Sequence, residues 1–315
     1  MATIAGSQFV ATALGQPVNV VETTTGTGLP ATVPGAFNLE VFIGSISSVP
    51  GVAPGYQGLA ILSPSGLELD LVSGAFAATD DGTGNDALSA FVDNETIMGG
   101  TGPVTLNLFG NNEAAVGGTG PDTINVFGNS DSVTGGTGND TIAVGGTGDT
   151  VTAGNGNNLI NVSNSNDLIN GGIGSDTINA FGNFDTVIAG AGTESIFGGG
   201  ASDQISLGTG SDTVNITGDS DTVTSGAHAG ANQGVINLFG TNSTLADGAN
   251  QYTDTVVGFD QAGGDRIHLT GTDTTAFAVA NSTQVNSGAD TLITLNDGST
   301  ILLKGVAHID SSFFS

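Results

Sequence analysis

The sequence predicts an all-β fold, a right-handed parallel β-roll of eighteen residues per coil, flanked by a small N-terminal β domain and a C-terminal β-rich cap. Three observations predict it. From Asp86 onward an acid recurs every nine residues at Asp86, Glu95, Glu113, Asp122, Asp131, Asp140, Asp149, Asp167, Asp176, Asp185, Glu194, Asp203, Asp212 and Asp221, with Val104 and Asn158 filling the two remaining places. Two residues after every one of these positions stands an aliphatic side chain, such as Ile124, Val133, Ile142 and Val151. Alternate nonapeptides also differ. Those closing at Asp122, Asp140, Asp176, Glu194 and Asp212 approach through glycine-rich turns, whereas those closing at Asp131, Asp149, Asp167, Asp185, Asp203 and Asp221 use turns such as FGNSD, SNSND and FGNFD. Two unlike nonapeptides make one coil of two short strands and two tight turns.

Residues 1–80 hold six of the eight prolines and only four acids before Asp80, namely Glu22, Glu40, Glu68 and Asp70. Short apolar runs at 37–44, 58–62 and 66–72, separated by Pro, Gly and Ser, predict a small β-rich domain that caps the roll or joins neighbouring molecules. Residues 81–226 form the roll. Period-two spacing turns Ile124 with Val126, Ile142 with Val144 and Ile160 with Val162 inward from one sheet, and Val133, Val151, Ile169, Val187, Ile205 and Val223 inward from the other. Residues 227–315 form the cap. His228 lies in an irregular stretch, VINLFG (235–240) reads as one more divergent coil, and Asn296-Asp297-Gly298 is a hairpin signal between two β-rich segments.

Thirty acids stand against Arg266 and Lys304, a net charge of −28. Nucleic acid and anionic membrane surfaces, which need basic patches, are excluded as partners. Yet the chain is 37% hydrophobic with mean hydropathy +0.16, unlike a permanently disordered acidic tail. Such a chain repels itself and requires counter-cations to become compact. No cysteine is present, so thiolate metal sites and disulfides are excluded. A transmembrane segment and an amino-terminal export signal are not expected, since no sufficiently long apolar run occurs and residues 1–25 carry no Lys or Arg.

The turns themselves suggest a cation. Glycines permit positive φ and aim several carbonyl oxygens at one point, the closing Asp adds a carboxylate, and the next coil supplies a second set, approaching the six to eight oxygens that calcium takes. Several calcium ions are therefore expected. The best-formed site is expected between the turns closing at Asp122 and Asp140, with Gly118, Gly120, Gly136 and Gly138. The pairs Asp176 with Glu194 and Glu194 with Asp212 come next, with Gly172 and Gly174. Asp86, Asp131, Asp149, Asp167, Asp185, Asp203 and Asp221 complete the candidate ligands, the alternate edge binding fewer ions because its turns lack the first glycine pair. The plainer reading of those turns is that Asp and Asn merely form Asx turns.

GGTGPDTINV (117–126) and GGTGNDTIAV (135–144) resemble the RTX family of bacterial proteins exported by type I secretion, and GFDQAGGDRIHLTG (258–271) is similar to the segment that follows the repeats in related exoproteins. The resemblance implies an uncleaved carboxy-terminal export signal, which HIDSSFF (308–314) fits, and recognition by the type I secretion machinery. It also implies a chain unfolded in calcium-poor cytosol that folds outside the cell or at the bacterial surface. A catalytic constellation is not found. HExxH and GxSxG are absent, and His228, His268 and His308 lack metal-site spacing. The leading expectation is a non-enzymatic structural protein forming a homo-oligomer or polymer as a surface layer, fibre or matrix. The alternative is an adhesin whose Thr123, Thr141 and Thr177 or Asn125, Asn161, Asn179 and Asn215 ladders meet a cell-surface glycan or ice.

Overall fold

The computed structural model describes residues 8–13, 16–23, 34, 37–43, 58–63, 66–71, 77–79, 85–91, 93–226, 234–248 and 252–315, with side chains described mainly from 85 onward. The fold is all-β, a parallel β-solenoid with about eighteen residues per turn. The chain divides into two compact units, 1–146 and 147–315.

In the first unit, strands Asp86–Ala90, Val104–Leu108, Thr123–Phe127 and Thr141–Gly145 pair in parallel, Leu88 against Leu106, Leu106 against Ile124 and Ile124 against Ile142, a constant step of 18 residues. The facing sheet stacks Thr96–Met98, Ala114–Gly118 and Ser132–Thr137 by the same step. Alternation decides which face is buried. Leu106, Leu108, Ile124, Val126, Ile142 and Val144 line one side of the core, and Ile97, Ala115 and Val133 line the other. The apolar runs nearer the amino terminus form strands Phe37–Ile43, Gly58–Ser63 and Gly66–Leu71. The last of these pairs in parallel with Asp86–Ala90, and Ala77–Thr79 pairs in parallel with Thr96–Met98, so both sheets extend past the first repeat.

The second unit repeats the pattern through Leu159–Ser163, Thr177–Ala180, Ser195–Gly198 and Thr213–Ile216. Its facing sheet runs through Leu168–Gly174, Thr186–Gly192, Gln204–Ser206 and Thr222–Thr224. Ile160, Ile169, Ile178, Val187, Ile196, Ile205, Val214 and Val223 fill the core. VINLFG does form a further turn, Gly234–Leu238, but the step lengthens: Thr213 pairs with Val235 and Thr222 with Thr244, a displacement of 22. The extra residues fall around 227–233, outside the described residues, where His228 also lies.

The cap closes the second unit. Thr253–Val257 pairs in parallel with Thr300–Leu303, which is antiparallel to Asp290–Thr294, which in turn is antiparallel to Ser282–Val285. The hairpin at Asn296-Asp297-Gly298 is a three-residue loop closed by Leu295 N–H donating to Ser299 O at 2.9 Å, with Gly298 at φ 93°. At the tail, Ile309 and Phe314 are buried and the Phe313 ring stacks on Phe259, 5.9 Å between centroids.

Candidate metal sites in the turns

Each acid of the nine-residue register stands where a strand begins, with its side chain turned inward. All fourteen are buried, at 6% exposure or less. Their first task is structural. In the aspartates Oδ1 accepts the backbone N–H of the equivalent residue one turn earlier: Asp122 from Val104 and Asp140 from Asp122, both at 2.9 Å, then Asp176 from Asn158 at 2.8 Å and Asp212 from Glu194 at 3.1 Å. The alternate edge does the same, Asp131 from Glu113, Asp167 from Asp149, Asp185 from Asp167, Asp203 from Asp185 and Asp221 from Asp203, at 2.8 to 3.0 Å. These amides occupy the turns, where no strand partner is in line, so the carboxylates complete the backbone pairing.

The second oxygen is the unusual one. Oδ2 of Asp122, Asp176, Asp167, Asp203, Asp212 and Asp221, and both carboxyl oxygens of Glu113, are buried without a hydrogen-bond partner. A buried charge without a partner is costly. Burial therefore raises the carboxyl pKa values: Asp122 to about 6, Asp167 and Asp203 to about 7, and Glu113 to about 8, where Glu95 and Asp131 add like-charge repulsion. Glu194 rises to about 9 through burial and its neighbour Asp212. Asp140, Asp176, Asp185 and Asp221 rise for the same first reason, and their backbone hydrogen bonds oppose it.

The two edges reach this ladder by different backbones. On the glycine edge Gly136 and Gly138 have φ of 116° and 155°, and a Cβ on them would lie 2.1 and 2.0 Å from the carbonyl oxygens of Gly118 and Gly120 one turn below. Gly172 and Gly174 repeat this above Gly154 and Gly156 at 2.0 and 1.8 Å. Only glycine admits so close an approach of carbonyls. Beneath the turn, a Cβ on Gly117 would sit 2.4 Å from Asp122 Oδ2 and 2.5 Å from Gly135 O, and one on Gly171 would sit 3.0 Å from Asp176 Oδ2 and 2.3 Å from Ala189 O. The spare carboxylate oxygen and a carbonyl of the next turn thus border one small space. On the alternate edge the residue before the acid is left-handed instead: Asn112, Ser130, Asn166, Phe184, Ser202 and Ser220 have φ of 59° to 67°.

Among the described residues no three His, Asp or Glu side chains gather into a metal-holding group. One acid per turn, spaced along the axis, cannot by itself enclose an ion. The other oxygens must come from carbonyls, as the glycine turns supply them.

Four copies of the RTX calcium-binding nonapeptide repeat match a family model, at residues 80–106, 109–142, 144–178 and 180–214. This chain carries RTX calcium-binding repeats. No curated protein and no solved structure matches it. RTX repeats bind calcium, and the turns fit that ion: hard carboxylate and carbonyl oxygens, and buried anionic atoms with no other partner. When bound, calcium supplies the positive charge that the buried carboxylates lack. Asp122 and Asp176, each with a glycine five residues earlier, combine the carboxylate with the bordered space; Ala153 and Ala189 stand at that glycine position before Asn158 and Glu194.

The structure also adds residues to those chosen from sequence. Glu113 belongs to the ladder by register and burial. Beyond the change of step, Asp265 continues the alternate edge, buried and accepting Ser243 N–H at 2.9 Å. Its place is hidden by the lengthened step, which moves it out of the count by nine.

Proposed function

We propose that this calcium-binding RTX repeat protein is an extracellular structural protein, exported by type I secretion, that folds when it meets calcium and associates with copies of itself into a layer, fibre or matrix. The observation that carries this reading is where the charge lies. Of sixteen acids between 86 and 226, fourteen are buried in the ladders, and Asp93 and Asp219 alone are exposed. A chain so built is held open by its own carboxylates until cations neutralise them, and then presents an outer surface with little charge to keep copies apart.

Several further features support it. The repeat is of a structural, calcium-binding type, and among the described residues no helix is long and apolar enough to cross a membrane. Parallel pairing of Gly66–Leu71 with the first repeat strand suits a front segment that caps the roll, within a division at 1–80, 81–226 and 227–315. The Asn ladders offer little to a glycan or ice lattice, because Asn125 donates to Asn107, Asn179 to Asn161 and Asn237 to Asn215, each at 2.9 Å. Electron microscopy of the purified protein with and without millimolar calcium tests the proposal. Ordered assemblies that need calcium support it, and a monomer at every calcium concentration rejects assembly.

A further inference from the structure

Three phenylalanines, Phe91, Phe109 and Phe127, lie one above another where strands of the first unit enter the alternate edge. Phe91 and Phe109 stack with centroids 5.2 Å apart and 6° between planes, and Phe109 and Phe127 with 5.6 Å and 19°. Each ring still leaves nearly half its surface in water, at 49, 44 and 46% exposure. The fold does not require rings here, since the same register position is Gly145, Ser163, Gly199 or Thr217 in other turns, while Phe181 and Phe239 return single rings to it in the second unit. Three adjacent rings make a ridge, beside which Met98 is the other exposed large hydrophobic side chain among the described residues of the first unit, and exposed aromatic ridges are what protein interfaces bury.

We propose that this ridge is the contact between two copies of the chain, packed antiparallel about a two-fold axis through Phe109. The inference rests on the self-association reading and names its interface. Two features select a second copy as the occupant. A ridge with a ring at every turn is matched in period by another such ridge, and an isologous contact supplies one by construction. Charge then permits the approach. The chain carries −28 overall, yet Asp93 is the exposed acid in 86–146, and its carboxylate already accepts Asn111 N–H at 2.8 Å and Asn111 Nδ2 at 3.1 Å. The antiparallel arrangement places Phe91 of one copy against Phe127 of the other and sends the two Asp93 side chains to opposite ends. A parallel arrangement would bring those like charges together, which is unfavourable.

Sedimentation velocity of the full chain in millimolar calcium tests the ridge. The triple variant F91S/F109S/F127S is expected to keep its β-type circular dichroism and to associate at least tenfold more weakly than the parent. A variant that associates as the parent does overturns the ridge while leaving self-association intact, and a parent that stays monomeric overturns both. Since the chain has no cysteine, F109C provides a second measurement that does not depend on the triple variant folding. It should form a disulfide-linked dimer under mild oxidation in calcium, and F127C alone should do so at least tenfold more slowly. Equal rates, or no dimer from F109C, reject the two-fold axis at Phe109.

Discussion

The glycine edge and the alternate edge of the roll bury the same ladder of acids with different turns. On the glycine edge, residues such as Gly136 and Gly138 let carbonyls of successive turns come within reach of one another's backbone. On the alternate edge a single left-handed residue, Asn112 or Ser220 for example, turns the chain just before the acid. Oδ1 of the acid caps the amide one turn earlier on both. The comparison separates two roles that the repeat motif combines: the acid's spacing builds the ladder, and the glycines present carbonyl oxygens to it.

The largest effect should come from removing calcium, which both edges need if the unpartnered oxygens Asp122 Oδ2 and Asp203 Oδ2 are to be compensated. Chelation at pH 8 should abolish the β-type circular dichroism of the repeat, because binding free energy here is folding free energy. A spectrum unchanged in excess chelator breaks the metal role on both edges.

The proton should partly replace the ion. A carboxyl whose pKa is higher folded than unfolded favours folding fully below its ordinary value near 4 and loses that contribution as pH rises through the folded value. Those folded values are about 6 for Asp122, about 7 for Asp167 and Asp203, about 8 for Glu113 and about 9 for Glu194. Metal-stripped protein should therefore hold β structure near pH 4 and lose it between about pH 6 and 9, while the calcium-loaded protein does not. Circular dichroism against pH in both states measures this, and a metal-free protein most ordered at alkaline pH contradicts it.

Single substitutions sharpen the contrast between edges. Gly136→Ala meets both a φ of 116° and a carbonyl at 2.1 Å, and should cost about 3 kcal/mol or more in the calcium-loaded protein, read from thermal or denaturant unfolding. Asp140→Ala should raise the calcium concentration needed for folding roughly tenfold, about 1.4 kcal/mol, and Asp221→Ala less, because the glycine turns around Asp140 offer more carbonyl oxygens. Equal midpoints in a calcium titration would mean that the edges bind alike. The smallest effect is a gain. Phe184, at φ 62° and well exposed, holds a left-handed position that Asn or Gly fills elsewhere, so Phe184→Asn should stabilise by about 0.5 to 1 kcal/mol.

Much of this was legible in the sequence for a physical reason. A coil that repeats imposes one environment per register position, so Asp140 and Ile142 announce turn and core by recurrence alone. The acid's hydrogen bond to the amide one turn earlier was not legible, since its partner is backbone and leaves no mark on residue type. Glu113 is a case in point. It stands in the nine-residue count, yet its two buried unpartnered oxygens emerge only from the packing. The lengthened step after Asp221 concealed Asp265, although VINLFG still revealed the turn in between. Left-handed positions were half legible: Asn and Ser mark them at 112 and 202, and Phe184 does not.

The step of 18 residues within the repeats has a mechanical consequence. Within each unit the described repeat strands bond to the turn before and the turn after, so tension along the axis loads one turn at a time and not the whole sheet in shear. A peeled turn trades a rise of about 4.8 Å for eighteen residues of extended chain, roughly 60 Å. A roll of this kind would lengthen under load in repeated steps and take up work at each one, and it would rewind from whichever turn remained.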